Sequence, residues 1–461
     1  MGQTRVIRWI VTLCVAALIA AGCGSDDTTA TDTDPPPSST TEAPAPDTGE
    51  DPDESTTTTA EPAPEVELTA SYRGVTATSI KLGIVLFDLD AILELGVDVG
   101  YGDQTQHYQV LIDEINEAGG ILGRQLEPIY RTVSPVDSAA ADRVCAEFIE
   151  DEEVFVVLGT LRPPENVLCY TETGDTPFIG APTGDLAEEV FERSAVPFLF
   201  PGRLPSRTDG AILAALELDD AIEGAVLAVH GADEARVNSI AAELEARGSA
   251  KAVTTVEVAS ESDQTALAAE LDLFIEIYKS ERVEGLINLG NNVALLAAFN
   301  RAAFGVPVWT NSSDVLADFI FDQGATEEEL KLIRLILTET SSDLYEAGHQ
   351  PTVECVDRWN TARPDEPAIP NPGDDDLNNI GVIVLACQAL DVLVRAATAA
   401  GGDLTVPSFT SALDSIGSFE TAGQRFASLS STKWDASDAA KLFRWSDADG
   451  EIVGAEDLEV G

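Results

Sequence analysis

From residue 78 onward, short apolar runs alternate with longer stretches in which apolar residues recur every three or four positions. The runs "SIKLGIVLF", "QLEPIYR", "VFVVLGT" and "PFIGA" are separated by amphipathic segments over 104–118, 136–150 and 164–174. The rhythm restarts at 224 with "GAVLAVHG", "AVTTVEV", "EGLINLG" and "VPVWTN", separated by segments over 233–247, 263–281 and 292–304. Short β-branched runs without strict alternation are strands buried on both faces, and the segments between them are helices that cover a parallel sheet. Two such series predict an α/β protein with two doubly wound, Rossmann-like lobes.

The first helix ends in "INEAGGILGRQ" (115–125). Tyr108, Leu111, Ile115 and Ala118 form its apolar stripe. Gly119 suits the left-handed residue that closes a helix, and Gly120 and Gly123 permit a tight return into the next strand. Near the other end, "LFRWS" and "EIVGA" flank an Asp-Gly turn, which predicts a hairpin. The same stretch partly matches a calcium loop, but Trp445 stands at the first ligand position and strands flank it. The apolar stretch "IGVIVLACQALDVLV" is interrupted by Gln388 and Asp391 and reads as a buried helix.

The N-terminal region differs from this body. Arg5 and Arg8 precede "WIVTLCVAALIAA", an apolar core of about thirteen residues, short of the roughly twenty that span a bilayer. Residues 1–23 therefore read as an export signal. Residues 24–77 are rich in Pro, Thr, Ser and acid with almost nothing to bury, the composition of a disordered linker. With no Lys or Arg from residue 24 to about 68, this linker repels itself and extends.

The whole chain of 461 residues carries 81 acidic and 26 basic side chains, a formal charge of −55. That excludes the basic patch nucleic-acid binding needs and a polybasic grip on anionic lipid. It favours a soluble, self-repelling body expected to be monomeric, in an ordinary or a saline habitat. Among enzyme signatures, G-x-S-x-G, H-E-x-x-H and the Walker loop are absent, and "SSTK" (430–433) lacks its partner motifs. His107, His230 and His349 are scattered. No enzyme, cofactor or metal is expected.

Several phrases in order resemble the type I periplasmic solute-binding proteins, specifically the leucine/isoleucine/valine-binding group of ABC transporters. They are "NEAGGILGR", "YRTVSPVDSAAADRV", "VFVVLGTLRPPENV", "TPFIGAPTGDL", "FLFPGRLPSRTDGAILAAL" and "LINLGNNVALLAAFNRAAFGVPVWT". The resemblance spans roughly residues 78–460. It implies the periplasmic binding protein-like I fold, whose lobes are joined by a three-strand hinge with crossings near 203–207, 338–342 and 432–440. Lobe 1 would comprise 78–205 with 341–435, and lobe 2 206–340 with 436–461. "AAGC" resembles a lipobox, which would make Cys23 the lipidated N-terminus and tether the exported protein to the outer face of the cell membrane.

The resemblance also implies a ligand in the inter-lobe cleft and a permease partner for import. A sensor using the same closure is the alternative. The implied contacts are Leu161 and Arg162 in "GTLRPP", Thr183 in "APTGD", His230, Asn291, Asn311 and Ser312. Arg162-Pro163-Pro164 stand where serines are common, and prolines donate no N–H, so Arg162 is the candidate anion contact. Asn311, Ser312 and Ser313 stand where amino-acid binders place an acid. The expected ligand is thus a small polar molecule: an amino acid, an amide or a carboxylate.

Cys14 leaves with the signal and Cys23 takes lipid. The four remaining cysteines permit three connectivities in an oxidising compartment. In this topology Cys145 and Cys169 lie on the second and third helices, side by side on one face. Cys355 and Cys387 lie on consecutive helices after the return to lobe 1. The expected bonds are 145–169 and 355–387.

Overall fold

A computed structural model describes residues 68–89, 102–134, 138–182, 186–259, 264–289, 292–311, 326–365, 368–369, 378–448 and 450–459. The signal, Cys23 and nearly all of the predicted linker lie outside the described residues.

Two sheets organise the chain. The first is parallel, in the order β2-β1-β3-β4-β5: β1 Ser79–Phe87, β2 Gln125–Val133, β3 Val156–Gly159, β4 Phe178–Gly180 and β5 Phe198–Leu199. Alternate residues of β1 bury opposite ways, as a period of two requires. Ile80, Leu82, Ile84 and Leu86 pack under helices Gln104–Glu117, Gln350–Ala362, Asn378–Ala400 and Val406–Ile416. Val85 and Phe87 join Cys145, Phe148, Phe178 and Phe198 on the other face. Helix Asn378–Ala400 is long and apolar enough to cross a membrane, but Ile383, Leu393 and Ala396 are fully buried in this core.

The second sheet has the order β14-β13-β10-β9-β8-β6-β7. Its parallel part is β6 Val226–Gly231, β7 Lys251–Val256, β8 Gly285–Asn288, β9 Val308–Thr310 and β10 Ile333–Leu337. The C-terminal hairpin, β13 Ala439–Ser446 and β14 Glu451–Glu459, adds to it antiparallel through β10. It is the hairpin expected around the Asp-Gly turn, with Gly450 N–H donating to Ser446 O at 2.8 Å. A separate ribbon, β11 Gly417–Thr421 and β12 Gln424–Leu429, was not read from the sequence. It buries Phe419, Ala427 and Leu429 against the core of the first sheet.

Three residues of "NEAGGILGR" have clear structural tasks. Asn116 mimics a strand partner, accepting from Leu126 N–H at 2.7 Å and donating to Leu126 O at 3.0 Å. Gly120 has φ +70°, and a Cβ there would lie 2.0 Å from Arg124 O. Arg124 turns inward and is 1% exposed. Its guanidinium donates to the carbonyls of Thr76 at 2.7 Å, Thr69 at 3.0 Å and Gly402 at 2.6 Å. One buried cation thus fastens the segment entering the fold to β1 and to the end of a core helix.

The chain passes between the sheets at three places. Phe200 N–H donates to Trp434 O at 2.9 Å, and Ala436 N–H donates back to Phe200 O at 2.8 Å, so two passes run side by side. Arg207 binds Asp435, which is 1% exposed, and reaches Asp438 at 2.7 Å. Leu204 N–H also donates to Asp435, at 3.0 Å. The first pass thus lies a few residues before the expected 203–207, because Pro205 already opens a helix there. In the second pass Glu339 binds Arg425 of β12 and Lys441 of β13, each at 2.9 Å.

Disulfides join Cys145 to Cys169 and Cys355 to Cys387, the pairings expected from helix order. Closing loops of 24 and 32 residues, each is worth about 3 kcal/mol in the chain-entropy view.

Arg124→Lys should destabilise the protein by about 2–3 kcal/mol, because a point charge cannot serve three carbonyls held by a fork. Denaturant unfolding and amide exchange over 69–76 measure this, and wild-type behaviour of the lysine variant would refute the clamp. Burial pushes the Glu339 carboxyl up, but Lys441 and Arg425 outweigh it and hold the group below its ordinary value of 4.5. A depressed folded value gives stability that is present above the unfolded value and lost as pH falls through the folded one. Glu339→Gln should cost about 1–3 kcal/mol at pH 7 and flatten part of the fall in unfolding temperature below pH 4.5.

Candidate functional site

In open α/β sheets ligands meet the carboxyl ends of the strands. At this edge of the first sheet, Gly159 has φ +129°, and a Cβ would lie 1.9 Å from Val85 O. The strand therefore ends without a side chain, and Thr160 follows half-buried at the surface. Leu161 turns inward, fully buried in the cluster containing Val85, Val167 and Phe178. Arg162 is half-buried and precedes a cis peptide to Pro163. Its carbonyl accepts from Asn166 Nδ2 at 3.0 Å, which ties the loop to the 3-10 turn Pro164–Asn166. Ala181 and Pro182 continue from β4, and Thr183 lies outside the described residues.

The second sheet closes its edge differently. Thr255, His230, Asn288 and Thr310 occupy the same level on four adjacent strands, His230 facing Thr255 and Asn288, and Asn288 facing Thr310. One residue pair earlier, Ala228, Leu286 and Val308 belong to the apolar core on that face. The core thus gives way to a polar layer one step before the loops begin. All four residues are at most 4% exposed. His230 is enclosed: Nδ1 meets Thr255 Oγ1 at 3.0 Å, Nε2 meets Glu257 Oε1 at 2.7 Å, and Phe274 stands edge-on at 5.4 Å. Both ring nitrogens are engaged inside the lobe, the arrangement of a structural histidine. Asn311 follows the layer half-buried, while Asn291 and Ser312 lie outside the described residues. Asp233 caps the next helix, accepting from Ala235 N–H at 2.9 Å.

A cavity of ≈ 30 Å³ lies beneath the first-sheet edge, between the ends of β3–β5, helix Asn378–Ala400 and the β11–β12 ribbon. Thr160, Ala181, Phe200 and Pro201 form its half-buried rim. Its depths are apolar, with Ile179, Leu199, Ala389 and Val392. Two amides line it. Gln388 donates to Thr421 Oγ1 at 2.9 Å. Gln424 donates to Pro201 O, and its Oε1 is buried with no partner among the described residues. Tyr108 also lines it, and burial raises its hydroxyl above the ordinary tyrosine value. Neither glutamine was among the residues expected at the site. The lone amide in "VLACQALDVL" was a usable signal, because a polar residue in a buried apolar helix needs a reason.

No protein-family model matches the sequence, and no curated protein matches it. The fold has counterparts among solved structures. A Rhodospirillum rubrum protein assigned to branched-chain amino acid ABC transport matches with a TM-score of 0.54 at 17% identity, over 82% of this chain and 100% of its own. A fatty acid ABC transporter substrate-binding protein from Thermomonospora curvata gives 0.54 at 16% identity, over 85% and 95%. A solute-binding protein from R. palustris in complex with 4-hydroxybenzoate gives 0.53 at 14%, over 83% and 97%. The chain thus has the type I periplasmic binding protein fold.

His230→Leu should destabilise the protein by about 1–3 kcal/mol, because Glu257 would be left buried without its partner. Thermal unfolding checks it. An unchanged midpoint together with altered ligand affinity would place the ring in a binding site instead.

Proposed function

We propose that this chain is an extracytoplasmic solute-binding lipoprotein that holds a small polar molecule between two lobes and delivers it to the permease of an ABC importer. Lobe 1 is taken as 78–205 with 341–435, and lobe 2 as 206–340 with 436–461. Cys23 is taken as the lipid anchor to the outer face of the membrane. The observation that supports this reading is the pair of sheets, parallel in their main part and joined by three passes of the chain, two of which run side by side. Passes of this kind permit hinge closure, which suits capture and release more than fixed chemistry.

The ligand contacts favoured are Thr160, Arg162 and Thr183 on lobe 1, with Asn291, Asn311 and Ser312 on lobe 2. Leu161 supports its loop from the core, and His230 supports the polar layer. A carboxylate head is the favoured ligand chemistry, because a guanidinium at 162 offers a bidentate partner. Fold neighbours are in complex with leucine and with 4-hydroxybenzoate, both carboxylates, which supports the same choice.

A thermal-shift screen of amino acids, amides and carboxylates tests the reading. A true ligand at a hundred times its dissociation constant should stabilise by about 2.7 kcal/mol. Arg162→Ala should weaken a carboxylate ligand by about 1.5–3 kcal/mol, read by calorimetry. Unchanged affinity would remove Arg162 from the site, and turnover of a bound candidate would overturn the non-enzymatic reading.

A further inference from the structure

Two ion-pair groups straddle the joint between the sheets, and their surroundings differ. Asp435, paired with Arg207, is 1% exposed. Breaking that pair would strand a buried charge, so it suits a fixed pivot. The Glu339 bridge is open to solvent on one side: the side chains of Glu339, Lys441 and Arg425 are 14%, 24% and 35% exposed.

Its place in the chain matters more than its burial. β10 ends at Leu337, and the Thr340 hydroxyl accepts from Asp343 N–H at 3.0 Å to cap the next helix, Ser341–Glu346. Only Thr338 and Glu339 lie between the two. In the third pass Asp438 N–H still donates to Phe426 O of the ribbon at 3.0 Å, whereas Ala439 already belongs to β13. Arg425 therefore moves with the ribbon, which packs on the first-sheet core. Lys441 moves with the second sheet, where it pairs with Leu337. A rotation at these short segments changes the distance between the two cations, so one carboxylate gripping both at 2.9 Å suits one angle. Losing the grip strands neither side. Asp457 lies 3.7 Å from Lys441. A space of ≈ 20 Å³ bordered by Thr338, Phe426, Ser437 and Ala440 adjoins the bridge, with room for about one water.

We propose that Glu339, gripping Arg425 and Lys441 together, is a salt-sensitive latch on the hinge, which holds the lobes at the angle of this structure and lowers the share of molecules at other angles. The latch rests on the two lobes of the solute-binding reading and not on its ligand. Salt also screens the general repulsion within an acidic protein, so a salt response alone does not identify it.

The test is a pulsed electron-spin distance measurement on the whole protein without ligand. Unnatural spin-labelled side chains replace Leu273, 61% exposed on helix Gln264–Glu281, and Thr398, exposed on helix Asn378–Ala400, leaving both disulfides untouched. In the wild type at low salt one distance should dominate. A second should grow as salt approaches about 1 M, where charges are screened within about 3 Å. In Glu339→Gln the second population should stand about fivefold above wild type already at low salt and respond little to more salt. Arg425→Gln changes the most exposed member, should behave alike, and serves should the first variant fail to fold. Arg247→Gln removes exposed pairs with Glu217 and Glu243, away from the joint, and should match wild type.

Overlapping distributions in wild type, Glu339→Gln and Arg425→Gln at every salt concentration would overturn the latch and leave the bridge a structural contact. A salt response in Glu339→Gln equal to that of wild type, or the same release in Arg247→Gln, would assign the effect to general repulsion and overturn it too. Because no ligand enters the measurement, the thermal-shift screen judges the solute-binding reading separately.

Discussion

The structure depends on the buried pairing of Asp435 with Arg207. Asp435 sits where two passes between the sheets lie against one another, and it is 1% exposed. A carboxylate in such a place is costly unless its oxygens are engaged. Arg207 and the Leu204 amide both donate to its Oδ2, while Phe200, Trp434 and Ala436 zip the adjacent backbones. Because the pair joins the first turn of helix Pro205–Leu218 to the segment entering β13, it fixes how one sheet hands the chain to the other. The Glu339 bridge to β12 and β13 repeats the device in the second pass. Ion pairs here act less as net stabilisers than as registers, since a buried cation left without its carboxylate would be penalised heavily.

The same economy governs the body. Against 81 acids the chain has only 26 Lys and Arg, so an acidic partner is available almost anywhere and the placing of each cation is informative. Many tie different elements together. Arg236 reaches Asp209, Arg131 reaches Glu147 and Glu152, and Arg301 reaches Asp272. The exposed pairs add little individually and weaken with salt. Arg124 departs from this, because its guanidinium donates to three backbone carbonyls, and Arg73 and Arg203 likewise serve carbonyls and hydroxyls.

The two edges that face the proposed ligand are built by opposite means. The first sheet ends in glycine, which brings backbone close to a small cavity. The second ends in a row of buried polar side chains, whose level is set by strand register. The first edge thus offers space and the second offers fixed hydrogen-bonding groups. A ligand bridging them would draw the halves together without either edge remodelling its core.

Much of this was legible in the sequence. Period and composition determined the alternation of strands and helices, the terminal hairpin and the buried nature of helix Asn378–Ala400, because each follows from local patterning. The phrase at 115–125 announced its turn, since a positive φ at Gly120 is a local demand. What only the tertiary structure decided are facts of register and enclosure. Nothing near Arg124 in sequence shows that it faces inward to Thr69 and Gly402. Nothing around His230 tells a ligand residue from one enclosed by Thr255, Glu257 and Phe274. The meeting of Gln388 with Gln424 joins positions more than thirty residues apart, and a one-dimensional pattern carries no record of which distant side chains come to share a wall.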